Sequence, residues 1–106
     1  MSLPPVLLVA SDPRCRRHFA AALREKGFEV STVRHIAEIE RWPVGQVVVV
    51  DATRFTPLWS AVGAAHVVVL SDPADEEAHL PNGVPSTWVP RRLGPGALIS
   101  VLQGLR

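Results

Sequence analysis

Three blocks constrain this chain more than anything else in it: Val6-Leu7-Leu8-Val9, Val47-Val48-Val49-Val50 and Val67-Val68-Val69-Leu70. Each is short, uninterrupted and rich in β-branched valine, which favours strands. Side chains alternate across a strand, so a run without any polar position must be buried on both faces. Helical signals separate the blocks. Asp12 can cap a helix N-terminus and Pro13 suits its first position. Cys15, Phe19, Ala22 and Leu23 then recur at helical spacing, with Arg16, Arg17, Arg24 and Glu25 assigned to the other face. Lys26 opposes the helix dipole and Gly27 supplies a left-handed stop.

The remaining elements are weaker. Phe28 to Val33 alternates like a strand nearer a sheet edge. A helical patch with Ile36, Ile39 and Glu40 to Trp42 is stopped by Pro43 and Gly45. Thr56-Pro57 starts a brief helix through Val62, and Ser71-Asp72-Pro73 caps another that is over by Pro81-Asn82-Gly83. Ser86 to Val89 is a last strand. Gly94-Pro95-Gly96 opens a final helix with Leu98, Val101, Leu102 and Leu105 on its inner face. The order is strand then helix, five times over. Doubly apolar strands joined by helices belong to a parallel, doubly wound sheet, and in such folds ligands sit beyond the carboxyl ends of the strands. Asp51, Ser71 and Arg91 all fall at that end.

Composition excludes several classes. The chain has 106 residues, enough for one domain (1–106). A net charge of +1 argues against a dedicated nucleic-acid surface. The single cysteine excludes an internal disulfide and fits a reducing cytoplasm. No apolar run approaches the length that spans a bilayer, and the N-terminus lacks the pattern of a signal peptide. His18, His35, His66 and His79 match no zinc spacing, and the expectation is no metal site. Ser11, His35 and Asp51 lack the elbow that a hydrolase triad needs. No glycine follows the first strand, so a phosphate-binding loop is absent. An aspartyl-nucleophile hydrolase wants a second acid at position 53, where Thr53 stands.

Taken in order, these residues resemble the receiver domain of bacterial two-component response regulators. The resemblance runs through VLLVASDP, then Arg16, Phe19, Leu23 and Gly27-Phe28-Glu29-Val30, then VVVVD, VVVLS and Thr87 to Leu93. It implies a flavodoxin-like α/β fold: a five-stranded parallel sheet of order 2-1-3-4-5 with helices on both faces, here with a shortened third helix. It places Asp51 at the phosphoacceptor position, Ser71 at the switch hydroxyl, Arg91 at the conserved cation and Trp88 at the aromatic switch position. The family's acidic pair falls on Ala10 and Ser11 and is lost. Asp12 is a nearby acid one residue late, whose simplest role is helix capping. Arg92 stands where the family has proline.

Aspartyl phosphorylation pits an anionic nucleophile against an anionic phosphoryl group, and a magnesium ion held by acids normally offsets the repulsion. Without the acidic pair, magnesium binding is expected to be weak or absent. Three roles for Asp51 stay open: a fixed ion pair with Arg91, a phosphate acceptor with Arg91 as counter-charge, or an exposed acid at a strand end. The leading expectation is a degenerate, non-enzymatic, cytoplasmic pseudo-receiver of a phosphorelay, acting by protein–protein interaction. The alternative is a working receiver that takes phosphate on Asp51 from a histidine kinase. The implied partners are proteins, among them a histidine kinase or an attached output domain. A homodimer through surplus apolar surface on the last helix is a further possibility, and neither direct nucleic-acid binding nor membrane association is expected. Trp42, Trp59 and Trp88 read either as space-filling residues or as partner anchors.

Overall fold

The computed structural model describes residues 5–35, 38–39, 45–51, 66–71 and 85–105. In chain order the elements are β1 (Val6–Val9), α1 (Pro13–Glu25), β2 (Val30–Val33), β3 (Val47–Asp51), β4 (His66–Ser71), β5 (Ser86–Pro90), a 3-10 turn (Arg91–Leu93) and α2 (Gly94–Gly104). The strands form one sheet of order β2-β1-β3-β4-β5, and every neighbouring pair is parallel. This is a flavodoxin-like α/β fold. The two short helices expected near Thr56 and Asp72, the patch around Glu40–Trp42, and Trp42, Trp59 and His79 lie outside the described residues.

The apolar blocks sit where their composition demands. β1, β3 and β4 occupy the three inner positions, and Val48, Val49, Val50, Val67, Val68, Val69 and Leu70 are fully buried. Strand alternation splits them into two cores. One gathers Val6, Leu8, Val47, Val49, Val68, Leu70 and Val89 beneath Phe19, Ala20 and Leu23 of α1 and Leu98, Ile99 and Leu102 of α2. The other holds Leu7, Val9, Val48, Val50, Val67 and Val69, with Val33, Ile39 and Trp88 packed against it. β2 is an edge strand, and its Ser31 and Thr32 are exposed. On the other side of the sheet, His66 Nε2 and Thr87 Oγ1 lie 2.7 Å apart, joining β4 to β5. Burial lowers the His66 pKa from its ordinary value.

Both ends of α1 follow from local chemistry. The Asp12 carboxylate accepts from the Arg14 amide at 2.9 Å, and Pro13 occupies the first turn. At the other end Gly27 takes φ 95°. Its amide donates to the Arg24 carbonyl at 3.0 Å and the Phe28 amide donates to the Leu23 carbonyl at 3.1 Å, a Schellman closure. Phe28 and Leu23 are buried in the same cluster, so the stop also delivers the chain into β2. Two details differ from the sequence reading. Ile99 joins Leu98 and Leu102 inside, while Val101 and Leu105 are only partly buried. A single 3-10 turn also precedes α2, and Gly94 leaves it at φ 77°.

The two kinds of contact at the end of α1 separate by size. Leu23→Ala leaves a cavity in a fully buried position and is expected to cost about 3 kcal/mol in urea denaturation. Gly27→Ala forces a Cβ into the left-handed region and is expected to cost about 1 kcal/mol.

Candidate functional site

Parallel pairing brings the C-terminal ends of all five strands to one rim. Asp51 closes β3, Ser71 closes β4, and Arg91 is the first residue after β5. Ala10, Ser11 and Asp12 leave β1 on the same rim and lead into α1. Asp51 continues the row of Val47 and Val49, on the face covered by α1 and α2. Its side chain is only 10% exposed, so it is not a free acid at a strand end. A carboxylate withdrawn that far from water needs a counter-charge.

Arg91 supplies it. Its Nε donates to Asp51 Oδ1 at 2.7 Å, and Nη2 closes on the same oxygen. The Arg91 side chain is 26% exposed, so the pair sits at the boundary between core and solvent. β4 lies between β3 and β5, so this contact crosses the end of a whole strand. Two strand spacings amount to roughly 10 Å, a gap that suits the long arginine stem. The guanidinium also keeps its charge at every accessible pH.

Two more side chains reach the rim from α1. The partly buried Cys15 thiol lies close enough to Asp51 and Arg91 to feel both charges, and its pKa is raised to about 11. Burial is the largest cause and the negative charge of Asp51 the next, partly opposed by Arg91. The thiol is therefore neutral and a poor nucleophile. Arg16 departs from its expected place on the solvent face. It is half-buried, and its Nη1 donates to the Ala10 carbonyl at 2.9 Å. The first turn of α1 overhangs the rim, and a long side chain there can fold back onto a carbonyl that has left the strand ladder.

The other expected positions are placed as follows. Ala10 is buried and Ser11 is exposed, so neither brings a carboxylate to the rim. The Asp12 carboxylate is exposed and is used on the α1 cap. Ser71 is 2% exposed, and the alternation of β4 puts it in the row of Val67 and Val69, whereas Asp51 belongs to the opposite row. Trp88 is half-buried and packs against the second core. Arg92 is exposed. Ser11 and His35 of the imagined triad are both exposed, while Asp51 is engaged by Arg91.

Among the described residues no three metal-ligating side chains come together. The described donor set does not fit magnesium, which takes hard oxygens, usually one or two carboxylates besides water. Here one carboxylate already carries a guanidinium, and a second guanidinium, that of Arg16, stands on the same rim.

Removing Arg91 takes its guanidinium away from a carboxylate that is 10% exposed. Arg91→Ala is expected to destabilise by about 2 kcal/mol in urea denaturation, against less than about 0.5 for the exposed Arg92→Ala. The thiol gives a pH signature. Unfolded Cys15 ionises in the ordinary range near 9.0, but folded Cys15 holds its proton to about 11. Above the lower value the unfolded state binds fewer protons, so this contribution is intact below roughly pH 9 and lost as pH rises towards 11. Thermal melts of the protein and of Cys15→Ala across that window are expected to converge at the alkaline end.

No family model matches the chain, and neither a curated protein nor a solved structure matches it.

Proposed function

We propose that this chain is a receiver-like signalling module that acts through protein–protein contacts, without magnesium-dependent phosphorylation of Asp51. One observation carries the reading: at the end of β3 in a 2-1-3-4-5 sheet, where the resemblance puts the phosphoacceptor, the carboxylate is held by the guanidinium of Arg91. Attack on a phosphoryl group needs a free carboxylate oxygen and a cation that offsets the incoming charge. Oδ1 is engaged by two arginine nitrogens, and among the described residues no group of acids on the rim could hold a metal. Such a pair holds one conformation instead of alternating between two. Leu93, in the same 3-10 turn as Arg91, is 58% exposed and offers a large apolar contact to a partner protein.

A second reading keeps Asp51 as a phosphate acceptor serving a histidine kinase. Its support is the position of Asp51 at the end of β3, with the Ser71 hydroxyl closing the neighbouring strand. Magnesium calorimetry, followed by incubation with a small acyl phosphate and intact-mass measurement, separates the two. The expected result is no saturable heat and no added phosphoryl group. Stoichiometric addition that disappears in Asp51→Asn overturns the proposal.

A further inference from the structure

We infer that Arg24 guards the open edge of the sheet: its guanidinium occupies an outward carbonyl of β2 and so keeps a second copy of this chain from adding its own β2 there. The inference stands apart from the rim and does not use Asp51. β2 is the outermost strand on its side, and its Ser31 and Thr32 are exposed. An edge strand presents a row of backbone donors and acceptors with which another strand can pair. The bonds to β1 fix which groups those are. The Glu29 carbonyl accepts from the Val6 amide at 2.8 Å, and the Val33 carbonyl accepts from the Ala10 amide at 3.1 Å. The period of two adds Ser31 to that inward set. Val30 and Thr32 therefore turn their amides and carbonyls away from β1, and among the described residues no strand meets them.

Arg24 reaches one of these groups. It lies in the last turn of α1, six residues before Val30, and its Nη2 donates to the Val30 carbonyl at 3.0 Å. The bond is exposed, so its worth in stability is modest. Its effect on pairing is larger. A guanidinium carries donors only, so it covers the acceptor an incoming strand needs and offers that strand no acceptor in exchange. A second copy matches the edge it covers. About a two-fold axis at Ser31, antiparallel pairing sets Val30 of one copy against Thr32 of the other, and every outward group is used. Glu29 precedes the strand and Arg34 follows it, both exposed, so an antiparallel copy brings unlike charges together.

Sedimentation equilibrium on the whole 106-residue chain reads the guard. Arg24→Ala is expected to tighten self-association roughly tenfold over the unaltered protein, the scale of two modest hydrogen bonds, one per copy. Adding Thr32→Pro is expected to return the unaltered behaviour, because proline deletes an outward amide and no bond to β1. An Arg24→Ala protein that associates no more tightly overturns the inference, whether its edge stays open or takes up an added valine-threonine peptide instead. So does association that survives Thr32→Pro, which marks a surface other than β2. Amide exchange serves if the proline variant folds poorly. In Arg24→Ala the Thr32 amide is expected to exchange fast when dilute and roughly tenfold more slowly when associated. Fast exchange in both states overturns the inference, and so does a Thr32 amide already protected in the dilute unaltered protein.

Discussion

Three inner strands with no polar face are the constraint from which the rest follows. Val47 to Val50 and Val67 to Leu70 cannot present either side to water, so each connection must cross the sheet and return in the same direction. Parallel strands end together. A residue that closes one strand is therefore carried to the same rim as residues distant in sequence. Asp51 and Arg91 are 40 positions apart, yet they meet because β3 and β5 point the same way with one strand between them.

Charge at that rim is balanced within the protein. Asp51 would be costly alone at its depth, and Arg91 offsets the cost without any borrowed cation. Arg16 adds a second guanidinium, and the Cys15 thiol stays uncharged. A pocket meant to gather a divalent ion would show the opposite distribution, with surplus acid and a cation kept at a distance. Among the described residues, the further acid on that rim, Asp12, faces solvent and serves a helix end.

Much of the fold was legible because its signals are periodic or chemically sharp. Valine runs mark the inner strands, Asp12-Pro13 marks a helix start, and Gly27 marks its end. The ion pair was one of three roles that the sequence left open for Asp51, since two opposite charges at the ends of nearby parallel strands can meet but need not. Arg16 was misassigned because a helical wheel treats each side chain as a radial spoke, while a long flexible one can reach back along the axis. The turn at Arg91–Leu93 was missed because one turn has no period to detect. Cys15 reads as a small core residue by spacing, and nothing local reveals a carboxylate that arrives from 36 positions later in the sequence.

The bridge over β4 also bears on how the sheet comes apart. An outermost strand is ordinarily the cheapest piece to peel away, because it surrenders one ladder and little else. β5 is anchored differently: lifting its far end drags a guanidinium off a carboxylate that water barely reaches. The flank carrying β5 and α2 is thereby fastened to the middle of the sheet by electrostatics as well as by its ladder. Its detachment belongs with the rupture of the interior, while fraying is left to β2 on the opposite flank.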